Sequence, residues 1–177
     1  MQRPAAVTVF GVLNIVFAGL GIIGVLGSLV LFLPSVANAG NGNPVIKIIH
    51  DNPAYAAWLK ISIVLGLAGC GVLLAAGIGL LKLLPWARTL SIVYAIYAMV
   101  MSIIGSVVNY FMLTQPMLAE AHGKSGAEAG AAIGGAIGGM LGGCFGLIYP
   151  VLLLIFMMRA NVKAAFGLLP PTPGPGN

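Results

Sequence analysis

A chain of 177 residues that is 60% hydrophobic and 6% charged, with a mean hydropathy of +1.09, has too little polar surface to surround a soluble core. Its solvent is lipid, and at about 20 apolar residues per crossing of a layer about 30 Å thick the length accommodates about four spans in one compact unit. The net charge of +5 is the balance of eight basic residues, scattered at the ends of apolar runs, against three acidic ones. They form no stripe that would track phosphates, which leaves the lipid bilayer rather than nucleic acid as the partner.

The first apolar run, Ala5 to Leu33, is free of charge between Arg3-Pro4 and Pro34. As a helix it would be about 43 Å long, so it tilts or projects into the headgroups. Within it, "GLGIIG" (Gly19 to Gly24) matches the GxGxxG dinucleotide fingerprint letter for letter. The context is wrong: no strand precedes it, it lies mid-span, and position 44 is proline where an acidic residue belongs, so no cofactor is expected. "PSVANAG" then offers small residues at Ala37 and Ala39 in the pattern read by signal peptidase, and cleavage after Ala39 would remove the first span. The run before it is about twice the length of a signal-peptide core, which predicts retention.

A polar loop from Pro34 to Asn52 contains "VIKIIHDNP", Val45 to Pro53. It reads either as a short amphipathic turn with its valine and isoleucines toward lipid, or as an ordinary connection. Asn52 then supplies an N-cap and Pro53 the first helical position of a second span over 57–81. The short connection containing Lys82 and Pro85 forces an antiparallel pair with a third span over 86–114. On that span Ser91, Ala95, Ala98, Ser102, Gly105, Ser106 and Asn109 recur at helical spacing as a small, weakly polar stripe that belongs inside the bundle. Asn14, about 14 Å into the first helix, and Tyr94, about 12 Å into the third from the same side, are predicted to hydrogen-bond.

After a second loop from Gln115 to Glu128, the fourth span covers 129–158. Gly126, Gly130, Gly134, Gly138, Gly142 and Gly146 recur every four residues, with Gly135, Gly139 and Gly143 as an adjacent row. In water each glycine would cost a helix about 1 kcal/mol relative to alanine. In lipid the helix persists because an unpaired peptide group is worse, and the bare row becomes a groove into which another backbone descends. The groove serves either the protein's own neighbouring helices or a second copy or partner transmembrane helix. The tail, 167–177, is predicted to be disordered and extended by its prolines.

Arg3, Lys82, Arg88, Arg159 and Lys163 fall on one side with no carboxylate, whereas Lys47, Lys60 and Lys124 share the other with Asp51, Glu120 and Glu128. The positive-inside bias places both termini in the cytoplasm, with Tyr55, Trp58 and Trp86 as interfacial aromatics. Cys70 and Cys144 fall mid-span, as small hydrophobes. His50, His122 and the three carboxylates lie in loops without the i, i+4 spacing of a preformed metal site, so no metal is expected.

"RPAAVTVFGVLNIVFAGLGIIG" and "LLKLLPWARTLSIVYAIYAMV" resemble the small four-span integral membrane proteins of unknown function found in many bacteria. The resemblance implies a four-helix bundle in a bacterial inner membrane and carries no catalytic residue with it. The expected fold is therefore an all-α, membrane-embedded four-helix bundle over 1–166, with antiparallel neighbours and cytoplasmic termini. The expected function is that of a non-enzymatic multi-pass protein that packs or oligomerises through its glycine zipper. A passive pore or small-solute transporter lined by the serine and asparagine stripe is the alternative, and an enzyme using the loop carboxylates and histidines is the third.

Overall fold

The computed structural model describes residues 5–33, 44–121 and 126–167, and these are helical apart from short turns. Helix α1, Ala5–Leu29, tightens into a 3-10 turn at Val30–Phe32 and is followed by the short α2, Pro44–Asp51. The long helices α3, Pro53–Leu81, and α4, Pro85–Asn109, come next. A π turn at Tyr110–Thr114 leads into α5, Gln115–Ala121, before α6, Ala127–Met158, and α7, Ala160–Ala165. Among the described residues three stretches, Val7–Leu29, Pro53–Leu81 and Pro85–Ala119, are long and apolar enough to cross a membrane, and α6 adds the apolar Gly146–Met158. Large apolar side chains cover the outside, with Ile23 and Val64 each 67% exposed, which inverts the pattern of a soluble protein. The cleavage signal at 34–40 and the tail from 168 lie outside the described residues.

Local chemistry sets the boundaries. The Asn52 side chain accepts a hydrogen bond from the Tyr55 amide at 3.1 Å, and Pro53 follows where no donor is needed. At the far end of α3 the Leu84 amide donates to the Gly79 carbonyl at 2.9 Å and the Leu83 amide to that of Leu80 at 3.1 Å. This closure needs a left-handed residue, and Leu83 takes it at a φ of 55°.

Two loop expectations are corrected. The third span does not end at Thr114: Pro116 cannot donate to the residue-112 carbonyl and its ring would strike it, so the helix widens by one residue, with Gln115 N–H reaching Tyr110 O, and continues to Ala121. The segment "VIKIIHD" is a full helix, and its isoleucines turn toward protein rather than lipid. Ile48 and Ile49 are buried in a cluster with Tyr55 and Met117.

Neighbouring helices meet in opposite sequence order. On α1 and α3, Gly11 faces Gly77 and Leu81, Gly21 faces Cys70, and Val25 faces Gly66. On α3 and α4, Tyr55 meets Asn109, Leu65 meets Tyr97 and Gly79 meets Ala87. Between α4 and α6, Arg88 donates to the Met157 carbonyl at 2.9 Å and Ser102 approaches Gly146. The ring closes from α6 to α1 through Phe10 on Phe156, at 4.8 Å between centroids, and Phe17 on Tyr149, at 4.4 Å.

The α1–α3 contact is backbone on backbone. A Cβ on Gly77 would stand 2.9 Å from the Gly11 carbonyl oxygen and 2.9 Å from Asn14 Cβ. Only glycine permits that approach, which gathers dispersion and Cα–H···O contact for lack of a side chain. Around it, one cluster packs Val7, Phe10, Leu80, Ala95, Leu153 and Met157 toward the end of the bundle that carries the α3–α4 turn. Gly77→Leu is expected to lower stability by about 2 kcal/mol, the scale of overpacking in a tight core. Gly24→Leu is expected to be neutral, because nothing lies within 4 Å of its Cβ position. Unfolding titrations in mixed detergent micelles compare the two.

Candidate functional site

Between the packed cluster at one end and the Ile48, Ile49, Tyr55 and Met117 cluster at the other, the four long helices stand around an open cavity of about 600 Å³. Among the described residues, five aromatic side chains line it: Phe17 from α1, Trp58 from α3, Tyr94 and Tyr97 from α4, and Tyr149 from α6. Ser62, Cys70, Ser102 and Asn109 supply polar groups, and no Asp, Glu, Lys, Arg or His is among the described lining residues. Its lining runs from Trp58 to Leu73 on α3, about 22 Å at 1.5 Å rise per residue.

Each polar side chain nominated by the sequence has a definite place. Asn14 is fully buried, and its Oδ1 accepts a hydrogen bond from the Tyr149 hydroxyl. The predicted partner, Tyr94, is therefore wrong. Asn14 and Tyr94 do stand at similar depth, but the face of α1 that carries Phe10, Asn14 and Phe17 is turned to α6. Asn14 Nδ2 is buried without a hydrogen-bond partner among the described residues. Asn109 accepts from the Tyr55 hydroxyl at 2.9 Å, and the Tyr97 hydroxyl donates to the Leu65 carbonyl at 3.1 Å. Ser91 is buried and bonds its own helix at Ala87 O, at 2.8 Å.

Pro150, buried in α6, also lines the cavity. Having no N–H, it leaves the Gly146 carbonyl without its helical donor, and Gly146 is a lining residue too. Ser102 Oγ stands 3.4 Å from where a Gly146 Cβ would be. Donor and acceptor thus sit side by side in an uncharged wall.

The glycines of α6 divide by surroundings. Gly126 precedes the helix with a φ of 74°. Gly130, Gly134 and Gly138 are exposed, with no atom within 4 Å of a Cβ position, whereas Gly135 meets Met117 Cε at 2.8 Å and Gly146 meets Ser102. The surroundings of Gly139, Gly142 and Gly143 lie outside the described residues. The close helix contact in the described chain uses glycines that sequence reasoning passed over, Gly11 and Gly77. Gly11, Asn14, Ala18, Gly21 and Val25 alternate in steps of three and four, a heptad of small side chains that signals a helix seam.

His50 and Asp51 are exposed at the end of α2. His122 and the side chains of Glu120 and Glu128 lie outside the described residues, among which no three His, Cys, Asp or Glu gather as metal ligands. No family model, curated protein or solved structure matches the chain. Tyr149→Phe is expected to cost about 1–2 kcal/mol, because it strands the buried Asn14 carbonyl oxygen, while Tyr94→Phe leaves stability unchanged. Thermal unfolding in detergent separates the two partners.

Proposed function

We propose that this chain is a non-enzymatic, multi-pass integral membrane protein that assembles with copies of itself through the outer face of α6. In this reading α1, α3, α4 and α6 are four antiparallel spans of an inner-membrane bundle with both termini in the cytoplasm. The opposite order of contacts along each neighbouring pair supports the antiparallel arrangement. Positive charge supports the orientation: Lys82, Arg88, Arg159 and Lys163 gather at one end.

The observation that carries the reading is the bare flank of Gly130, Gly134 and Gly138. Three successive turns leave a backbone groove that the protein's own packing does not consume. Flanking Ile133 and Ile137, 44% and 52% exposed, provide ridges for a neighbour's groove. A through-going pore receives less support, since Leu80, Leu153 and Met157 are fully buried in the cluster beyond the cavity.

Gly130→Leu with Gly134→Leu gives a clean test, for each new side chain enters open space and the subunit should still fold. In nanodiscs or mild detergent the wild type is expected to run as an oligomer by mass photometry, and the double variant as a monomer of unchanged helicity. A wild-type monomer would sink the proposal. A cysteine-accessible tag at the carboxyl terminus is expected to label only after the cytoplasmic side is exposed.

A further inference from the structure

The cavity has a feature that self-association does not use. Along the α1–α6 boundary, Phe10, Asn14 and Phe17 meet Tyr149 and Phe156, each pair advancing on one helix as it retreats on the other. Both ends of the cavity are packed, and between them it is open along the flank of the bundle rather than sealed.

We propose that the cavity binds an uncharged, membrane-dissolved lipophile carrying a hydroxyl head group. Entry from the side selects molecules that partition into hydrocarbon. The volume of about 600 Å³ lies within the usual range for small-molecule sites, and aromatic walls with a few convergent polar groups are their usual lining. The absence of charge among the described lining residues disfavours a carboxylate or ammonium, which would be buried unpaired. The polar wall asks for a group that both donates and accepts. The Gly146 carbonyl, released by Pro150, accepts, while the Ser102 and Tyr94 hydroxyls make no hydrogen bond to protein among the described residues and can donate. Freed backbone at membrane depth is tolerated where it lines a cavity, and it marks binding sites in other membrane proteins. A single alcohol oxygen between Ser102 and Gly146 satisfies both.

The test uses the full chain in phosphatidylcholine nanodiscs with Trp86→Phe, leaving Trp58 in the cavity wall as the sole tryptophan. A dibrominated octadecanol is titrated and tryptophan quenching read. Saturable quenching is expected, with only a linear collisional response to dibrominated phosphatidylcholine and to dibrominated stearate. Gly105 lines the cavity and has no atom within 4 Å of its Cβ position, so Gly105→Phe is expected to fill the space and raise the half-saturation point at least tenfold. Ser102→Ala, which keeps the shape, is expected to weaken binding roughly three- to tenfold, the size of one neutral hydrogen bond, and Tyr94→Phe, about 12 Å away along α4, to leave it unchanged. This pair decides the matter should the Gly105 variant misfold. Linear quenching by the alcohol, saturation by the carboxylate or phospholipid at equal concentration, or indifference to both Gly105→Phe and Ser102→Ala overturns the proposal. The Gly130→Leu, Gly134→Leu protein is expected to bind as wild type does, so a failure of self-association leaves this result readable.

Discussion

The contact of Gly11 with Gly77 is the constraint on which the rest of the bundle rests. It brings two backbones together where any side chain would strike a carbonyl or Asn14 Cβ, and so sets the rotation of α1 against α3. With that rotation fixed, Asn14 is carried inward to full burial and Phe10 and Phe17 are turned to α6. The Tyr149–Asn14 hydrogen bond then ties the first long helix to the last. A buried amide in an apolar surround needs such a partner, because leaving its oxygen unpaired costs more than the bond gains.

One half of the bundle is consequently solid and the other hollow. Near the α3–α4 turn, Val7, Leu80, Leu153 and Met157 fill the axis, and Arg88 caps the carbonyl end of α6 at Met157. Farther along, Ala98, Ser102 and Gly105 alternate with Tyr94, Tyr97 and Met101 on the inward face of α4, and the helices stand around space. The two interior prolines act differently on either side of this division. Pro116 is absorbed by a π turn that keeps α4 and α5 continuous, whereas Pro150 lies within a continuous α6 and leaves the carbonyl of Gly146, a cavity-lining residue, without its helical donor.

Glycine is used here in two opposed ways. At Gly11, Gly77, Gly79 and Gly135 the missing side chain is occupied by a neighbouring atom, and the residue works as a packing surface within one subunit. At Gly24, Gly27, Gly130, Gly134 and Gly138 the space is empty, and the residue leaves a groove or a gap open to whatever surrounds the bundle. Both uses present the same letter at similar spacing. Self-association, as proposed above, depends on the second.

The amino-acid sequence by itself determined the helical class, three of its four expected apolar helices as long enough to cross a membrane, the Asn52 cap and the inward placing of Ala98, Ser102, Gly105 and Asn109 on α4, whereas Ser106 of the same stripe is exposed. These follow from hydropathy, proline placement and local capping, which act within a few residues along the chain. The continuation past Thr114 was hidden because a proline signals a stop unless the helix widens, and α2 because its isoleucines needed Tyr55 and Met117 to bury against. Which glycines are filled, which partner Asn14 takes and where the cavity lies were decided only by tertiary structure. In a helix apolar on every side, hydropathy has no direction, so rotation about the axis is set by the size and shape of neighbours distant in sequence, and that information exists only once the helices touch.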